Sequence, residues 1–209
     1  MSARRTLIAV ALSGSVLLGA CAHPSVARPA SAHDAFFARL KTLCGKAFAG
    51  RLVSTDAADA AMVGVPMTMH IARCAADQVR IPFHVGTKEG GWDRSRTWVV
   101  TRTATGLRLK HDHRHSDGTA DAMSEYGGDT ATVGTATEQA FTVDATSIAL
   151  FRAQDRLPSV ANVWTVEVDA ARFAYQLART SGDPRRFRVE FDLTRPVAAP
   201  EPAWGALDR

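Results

Sequence analysis

The sequence lacks nearly everything that names a reaction at sight. It has three cysteines and two tyrosines, and no apolar run approaching the roughly 20 residues that a membrane-spanning helix needs. No phosphate-binding Gly-Lys loop, Gly-x-Ser-x-Gly elbow, His-Glu-x-x-His helix or Gly-x-Gly-x-x-Gly turn occurs, so nothing marks the chain as a nucleotide-binding protein, an elbow-type hydrolase or a zincin. Nor does one sign of charge dominate: 25 Lys and Arg face 21 Asp and Glu over 209 residues. The arginines are spread among acidic neighbours instead of forming a basic stripe, which speaks against nucleic acid as a partner. What remains is 46% hydrophobic and 7% aromatic. These proportions suit one globular domain of ordinary size and exclude collagen-like, wholly disordered and multi-span membrane chains.

Organisation begins at the N-terminus. Arg4 and Arg5 precede an apolar run from Leu7 to Leu18, and small residues lead up to Cys21, the pattern of a secretory signal over residues 1–20. Leu18-Gly19-Ala20-Cys21 resembles the lipobox of bacterial lipoproteins. The resemblance implies lipidation of the Cys21 thiol, palmitate included, and attachment to the lipid bilayer; Ala22, where an Asp would retain the protein at the inner membrane, implies an outer-membrane lipoprotein facing the periplasm. Arg4-Arg5-Thr6-Leu7 also faintly resembles a twin-arginine export signal. Residues 21–33, rich in Ala, Pro and Ser, read as a tether. In an oxidising compartment the two remaining cysteines, Cys44 and Cys74, read as one disulfide.

From Asp34, taken as a helix cap, Phe36, Phe37, Leu40, Leu43, Cys44 and Ala47 recur at helical spacing and define one amphipathic helix, with Gly50 at its exit. After it the period falls to two. Ten strands are predicted: 51–54, 67–73, 79–85, 96–103, 107–115, 137–143, 148–152, 163–169, 173–179 and 187–194. Short connections at Ala104-Thr105-Gly106, Asp169-Ala170-Ala171 and Gly182-Asp183-Pro184 favour an antiparallel meander. The alternation is explicit in Phe187, Val189, Phe191 and Leu193 against Arg188, Glu190 and Asp192. A sheet with one apolar face and almost no helix to cover it must curl shut or fold into a sandwich; the domain over 34–195 is read as a closed mainly β barrel of eight to ten strands. It is similar in architecture to the calycins, although the Gly-x-Trp signature of lipocalins is absent at Gly50-Arg51-Leu52. The stretches 96–103, 107–115 and 187–193 are similar to those of uncharacterised proteobacterial secreted proteins, which implies no activity. The tail, 196–209, holds three prolines and reads as extended and disordered, with Trp204 its one feature.

The chemistry concentrates in Leu107-Arg108-Leu109-Lys110-His111-Asp112-His113-Arg114-His115. With period two, His111, His113 and His115 share the face of Leu107 and Leu109 and point into the barrel. A three-residue turn at 104–106 would set Val99 beside His111 and Thr97 beside His113, leaving Trp98 outside. An aromatic and aliphatic cavity with imidazoles at one end suits a small, partly apolar ligand bound by His111, His113, Tyr175 and Trp164. His111 and His113 also form a workable chelating pair for zinc or a similar ion, with a third ligand needed from elsewhere, such as Asp117, Asp121, Glu125 or Asp129 in the polar loop that follows. His70 and His84 alternate with apolar neighbours and point outward. His113-x-His115-x-Asp117 overlaps the start of the metallo-β-lactamase motif, but Gly118 stands where the next His belongs and no His follows His115. Three readings are open: a membrane-anchored ligand-binding barrel without enzymatic activity, an envelope scaffold whose loops over 116–134 engage another protein, and a metal-dependent hydrolase at the His pair. The cofactor, if any, is unknown.

Overall fold

The computed structural model describes residues 30–179 and 181–206; the segment read from the sequence as a secretory signal, and Cys21, the expected lipidation site, lie outside the described residues. In chain order the elements are α1 (Ala32–Lys41), β1 (Ala47–Leu52), a 3-10 turn (Ala57–Met62), β2 (Met67–His70), β3 (Arg73–Cys74), β4 (Gln78–Gly86), β5 (Trp92–Arg102), β6 (Leu107–His113), β7 (Tyr126–Thr130) and β8 (Glu138–Val143). There follow α2 (Ala145–Ala153), a second 3-10 turn (Leu157–Ala161), β9 (Val163–Val168), β10 (Arg172–Arg179) and β11 (Arg185–Val197). Every strand pairs antiparallel with its neighbours in the order β1-β11-β10-β9-β8-β7-β6-β5-β4, and β2 bridges β4 back to β1. Ten strands therefore close into a barrel of the kind expected, consistent with a calycin-like fold, while β3 is a two-residue extension on β4.

The inward rows are the ones the alternation marks. Ile81, Phe83 and Val85, Trp164, Val166 and Val168, Phe173 and Tyr175, and Phe187, Val189, Phe191 and Leu193 are all buried. Outside, Arg188 bridges Glu167 and Glu190, the wet counterpart of that alternation.

The helix before the barrel is shorter than the periodicity suggests. Ser31, not Asp34, is its N-cap; Asp34 sits at the third helical position and completes a capping box with Ser31. The helix stops at Lys41, Gly45 takes a left-handed φ of 79°, and Ala47 already belongs to β1. Phe36, Phe37 and Leu40 are buried, and α1 is fastened to one end of the barrel by Asp34 with Arg102 and by His33 Nε2, which donates to the Thr132 carbonyl at 3.1 Å. Cys44 and Cys74 are joined as expected, S–S 2.09 Å, tying the turn after α1 to β3 across 30 residues of chain. In the chain-entropy account such a closure contributes roughly 3.5 kcal/mol.

Two elements depart from the expectation. The predicted strand 148–152 lies within α2: Asp144 caps it by accepting from the Ser147 amide, and Ser147 and Phe151, one helical turn apart, are its buried residues. The residues Ile148-Ala149-Leu150-Phe151 form an apolar run that periodicity alone cannot assign to strand or helix. The strand β7 was not anticipated at all, because Tyr126-Gly127-Gly128-Asp129-Thr130 carries no apolar alternation.

The C-terminal segment is also unlike the disordered tail expected. β11 runs on through Val197, and residues 201–206 return to β5. There the Trp204 amide donates to the Arg94 carbonyl at 3.1 Å, Arg94 pairs with Glu201 at 2.5 Å, and Ala203 is buried. His84, expected on the outer side and in water, is 1% exposed instead, with Arg94, His70, Asp93 and Glu201 as its charged surroundings. Its Nε2 has no hydrogen-bond partner among the described residues. Burial and the neighbouring Arg94 push this imidazole down to about 4. A His held below its unfolded value of about 6.5 favours the folded state only while neutral, so stability is present above that value and is lost as pH falls toward 4. Between pH 7 and 5 this group is expected to cost about 2 kcal/mol of stability. His84→Gln is expected to flatten the dependence of the urea midpoint on pH over that window by about this amount; an unchanged slope would remove His84 from the acid response.

Candidate functional site

β6 presents Leu107, Leu109 and His111 to the interior, all buried, with His113 half-buried after them. Two of the three imidazoles thus look inward as expected. His115 does not: β6 ends at His113, Arg114 makes an isolated bridge to Ala120, and the His115 side chain is 56% exposed beside Asp121 at 3.9 Å. The opposite face of β6 is not simply solvent, because Asp112 is buried between Arg80 and Arg114.

The hairpin register differs from expectation by one residue. Arg102 pairs with Leu107, Val100 with Leu109, Trp98 with His111 and Arg96 with His113. Thr103 leaves the ladder and joins the loop, its hydroxyl accepting from the Gly106 amide at 3.0 Å and its own amide donating to the Gly106 carbonyl. A one-residue change in loop length exchanges the two faces of β5. Trp98 is accordingly inside, 3% exposed, stacked between Phe83 at 4.7 Å and Tyr175 at 4.4 Å.

His111 is fully engaged. The Tyr126 carbonyl can only accept, so Nδ1 of His111 is the protonated nitrogen and donates to it at 3.1 Å. Nε2 then accepts from the Tyr175 hydroxyl at 2.7 Å. Burial, with His113 nearby, pushes His111 down to about 3, and burial with Arg96 nearby pushes His113 to about 4; both are neutral at pH 7. Burial also raises the Tyr126 and Tyr175 phenols, which stay protonated.

These groups border a cavity of about 160 Å³ at the barrel end opposite α1. His111 and His113 from β6 and Tyr126 from β7 form one side, with Arg96 and Trp98 from β5 beside them. Tyr175, Leu177, Arg185 and Phe187 form the other, and the 3-10 turn over 57–62 adds Asp59 and Met62. That turn is held over the mouth by Arg185, which pairs with Asp59 and, at 3.0 Å, with Asp56. Arg96 pairs with Asp93.

Of the sequence-predicted ligand residues, His111, His113 and Tyr175 meet at this cavity. Trp164 does not line it; the indole is buried behind, 5.2 Å from the His111 ring and 5.9 Å from Tyr126. The chelating pair is not assembled. The two rings stand 6.4 Å apart, His111 has both nitrogens committed, and among the described residues no group of three His, Cys, Asp or Glu is placed to hold a metal ion. Asp129, one of the loop carboxylates considered as a third ligand, pairs with Arg108 on the outside of the barrel. Arg96, Tyr126, Asp59 and Arg185 were missed. Tyr126 sits in a strand without a strand signal, Asp59 and Arg185 come from elements distant in sequence, and Arg96 reaches the cavity through the one-residue change in the β5–β6 register.

Comparison with known protein families and with curated proteins returns no match for this chain.

Proposed function

We propose that this protein is an outer-membrane lipoprotein, anchored through an acylated Cys21, whose barrel binds a small and partly apolar molecule at its mouth, without enzymatic activity. The observation that carries the reading is the cavity of about 160 Å³, where an aromatic wall meets His113, Tyr126 and Tyr175. Sites for drug-sized ligands run from about 300 Å³ upward, so a lipid or a pigment is too large. An apolar cavity of about 150 Å³ holds a single benzene ring, and a ligand of that size fits here. The anchor rests on Leu18-Gly19-Ala20-Cys21.

One observation favours a second reading, a scaffold without a ligand: Phe83, Trp98, Phe173, Tyr175 and Phe191 already fill the barrel with a connected aromatic cluster. The test is a fragment screen by NMR on the purified protein, with native mass spectrometry for anything retained. Saturable binding of single-ring compounds, lost on Met62→Trp, is the expected result; no binding by any compound would leave the scaffold. Mass analysis of the mature N-terminal peptide checks the anchor, with acylated Cys21 expected and an unmodified thiol against it.

A further inference from the structure

The cavity's polar groups have a donor and acceptor pattern that selects among single-ring ligands. Each guanidinium that faces it is already opposed by carboxylate: Arg96 by Asp93, and Arg185 by both Asp56 and Asp59. The imidazoles add no positive charge. A carboxylate ligand would have to displace Asp93 from Arg96 or enter beside the two aspartates at Arg185, and a cation would have to compete with Arg185 itself. A buried charge without a partner is costly, so the mouth favours a neutral molecule.

Among the neutral groups, His111 has no capacity left, and the Tyr175 hydroxyl has given its proton to His111. The remaining pair is the Tyr126 hydroxyl and His113 Nε2, 3.5 Å apart, at the outer limit of a hydrogen bond. The phenol has a proton to give, and with His113 protonated at Nδ1 its Nε2 has a lone pair to receive one. A ligand hydroxyl that parts this weak pair satisfies both, accepting from Tyr126 and donating to His113; a carbonyl can only accept and an aromatic N–H can only donate. Below this pair the wall is apolar, with Trp98, Leu177, Phe187 and Met62 around the remaining volume.

We infer that the natural ligand is a neutral monocyclic aromatic alcohol of the phenol class, its ring against Trp98 and Phe187 and its hydroxyl between Tyr126 and His113. This rests on the ligand-pocket reading of the barrel and adds the ligand's chemistry to it. Indole-type rings, which present N–H alone, and benzoate-type rings, which bring charge, are the discriminating competitors.

The test uses the full-length protein and three probes, phenol, benzoate and benzene, titrated at pH 7 by calorimetry and NMR. Phenol is expected to bind with a Kd of about 0.1 mM, well within what about seven non-hydrogen atoms can supply. Benzoate is expected to bind at least tenfold more weakly. Tyr126→Phe keeps the ring and removes the hydroxyl, and is expected to weaken phenol about tenfold while leaving benzene unchanged, since one neutral hydrogen bond is at stake. Phenol no tighter than benzene, benzoate tighter than phenol, or a Tyr126→Phe protein that binds phenol as before would each overturn the ligand class while the pocket stands. Failure of all three probes to bind the unaltered protein would overturn the pocket itself. The selectivity among probes is read on the unaltered chain, so it decides the matter even if the variant does not fold.

Discussion

Gly128→Ala is expected to open the barrel. A Cβ built on Gly128 would lie 1.6 Å from the Thr142 carbonyl oxygen and 2.4 Å from its carbon, backbone atoms of the adjoining strand that have no rotamer to escape into. The β7–β8 ladder there is three residue pairs long, Gly128 with Val143, Asp129 with Thr142 and Thr130 with Phe141, so the strands must part. Parting them also disturbs Gly127, whose amide donates to the Ser147 hydroxyl at 2.8 Å and whose carbonyl accepts from the Asp144 amide at the start of α2. A loss of at least about 4 kcal/mol is expected, in the range reserved for substitutions that break a defined structural feature. Urea unfolding checks it, and a midpoint within error of the unaltered protein would refute the close packing at β7.

The same residue explains why this part of the barrel was illegible in the sequence. Strands are read from β-branched and aromatic alternation, and β7 offers two glycines at its centre. What selects Gly127 and Gly128 is the nearness of β6 and β8, an interaction between segments that no local pattern records. The strands with strict alternation, β9, β10 and β11, were legible because each buries one face and wets the other. Helix α2 failed for the opposite reason: an apolar run of helical length for two turns looks like a strand until Asp144 is recognised as its cap.

The site was half legible for a related reason. The inward direction of His111 and His113 follows from period two within β6, which the structure keeps. What stands across from them depends on how many residues the preceding loop contains, and there Thr103 decided the matter by joining the turn. His111 looked like a ligand because burial and chemistry pointed the same way. Its partners, the Tyr126 carbonyl and the Tyr175 hydroxyl, come from positions 15 and 64 residues away, and they convert it into a buried strut. The half-buried His113 is left to face the cavity.

Trp98→Ala follows from that register, and its effect is expected to be large in both stability and binding. Trp98 is the middle of the stack that joins Phe83 on β4 to Tyr175 on β10 across the interior, and its ring also lies 6.0 Å from Phe173. Truncation removes the contacts on both faces at once and leaves a void that the closed wall cannot collapse to fill. Such losses cost about 3–5 kcal/mol, or roughly 10 °C in Tm for a chain of this size. Tyr175 would lose the ring that holds it under His111, so the polar side of the mouth would loosen as well. The variant should therefore lose affinity for a single-ring compound even though its cavity is larger, because size without the wall supplies no contact. Had the other register been correct, with Trp98 on the outer face, the same substitution would cost well under about 1 kcal/mol and leave binding untouched. Thermal unfolding and a phenol titration on one preparation distinguish the two arrangements.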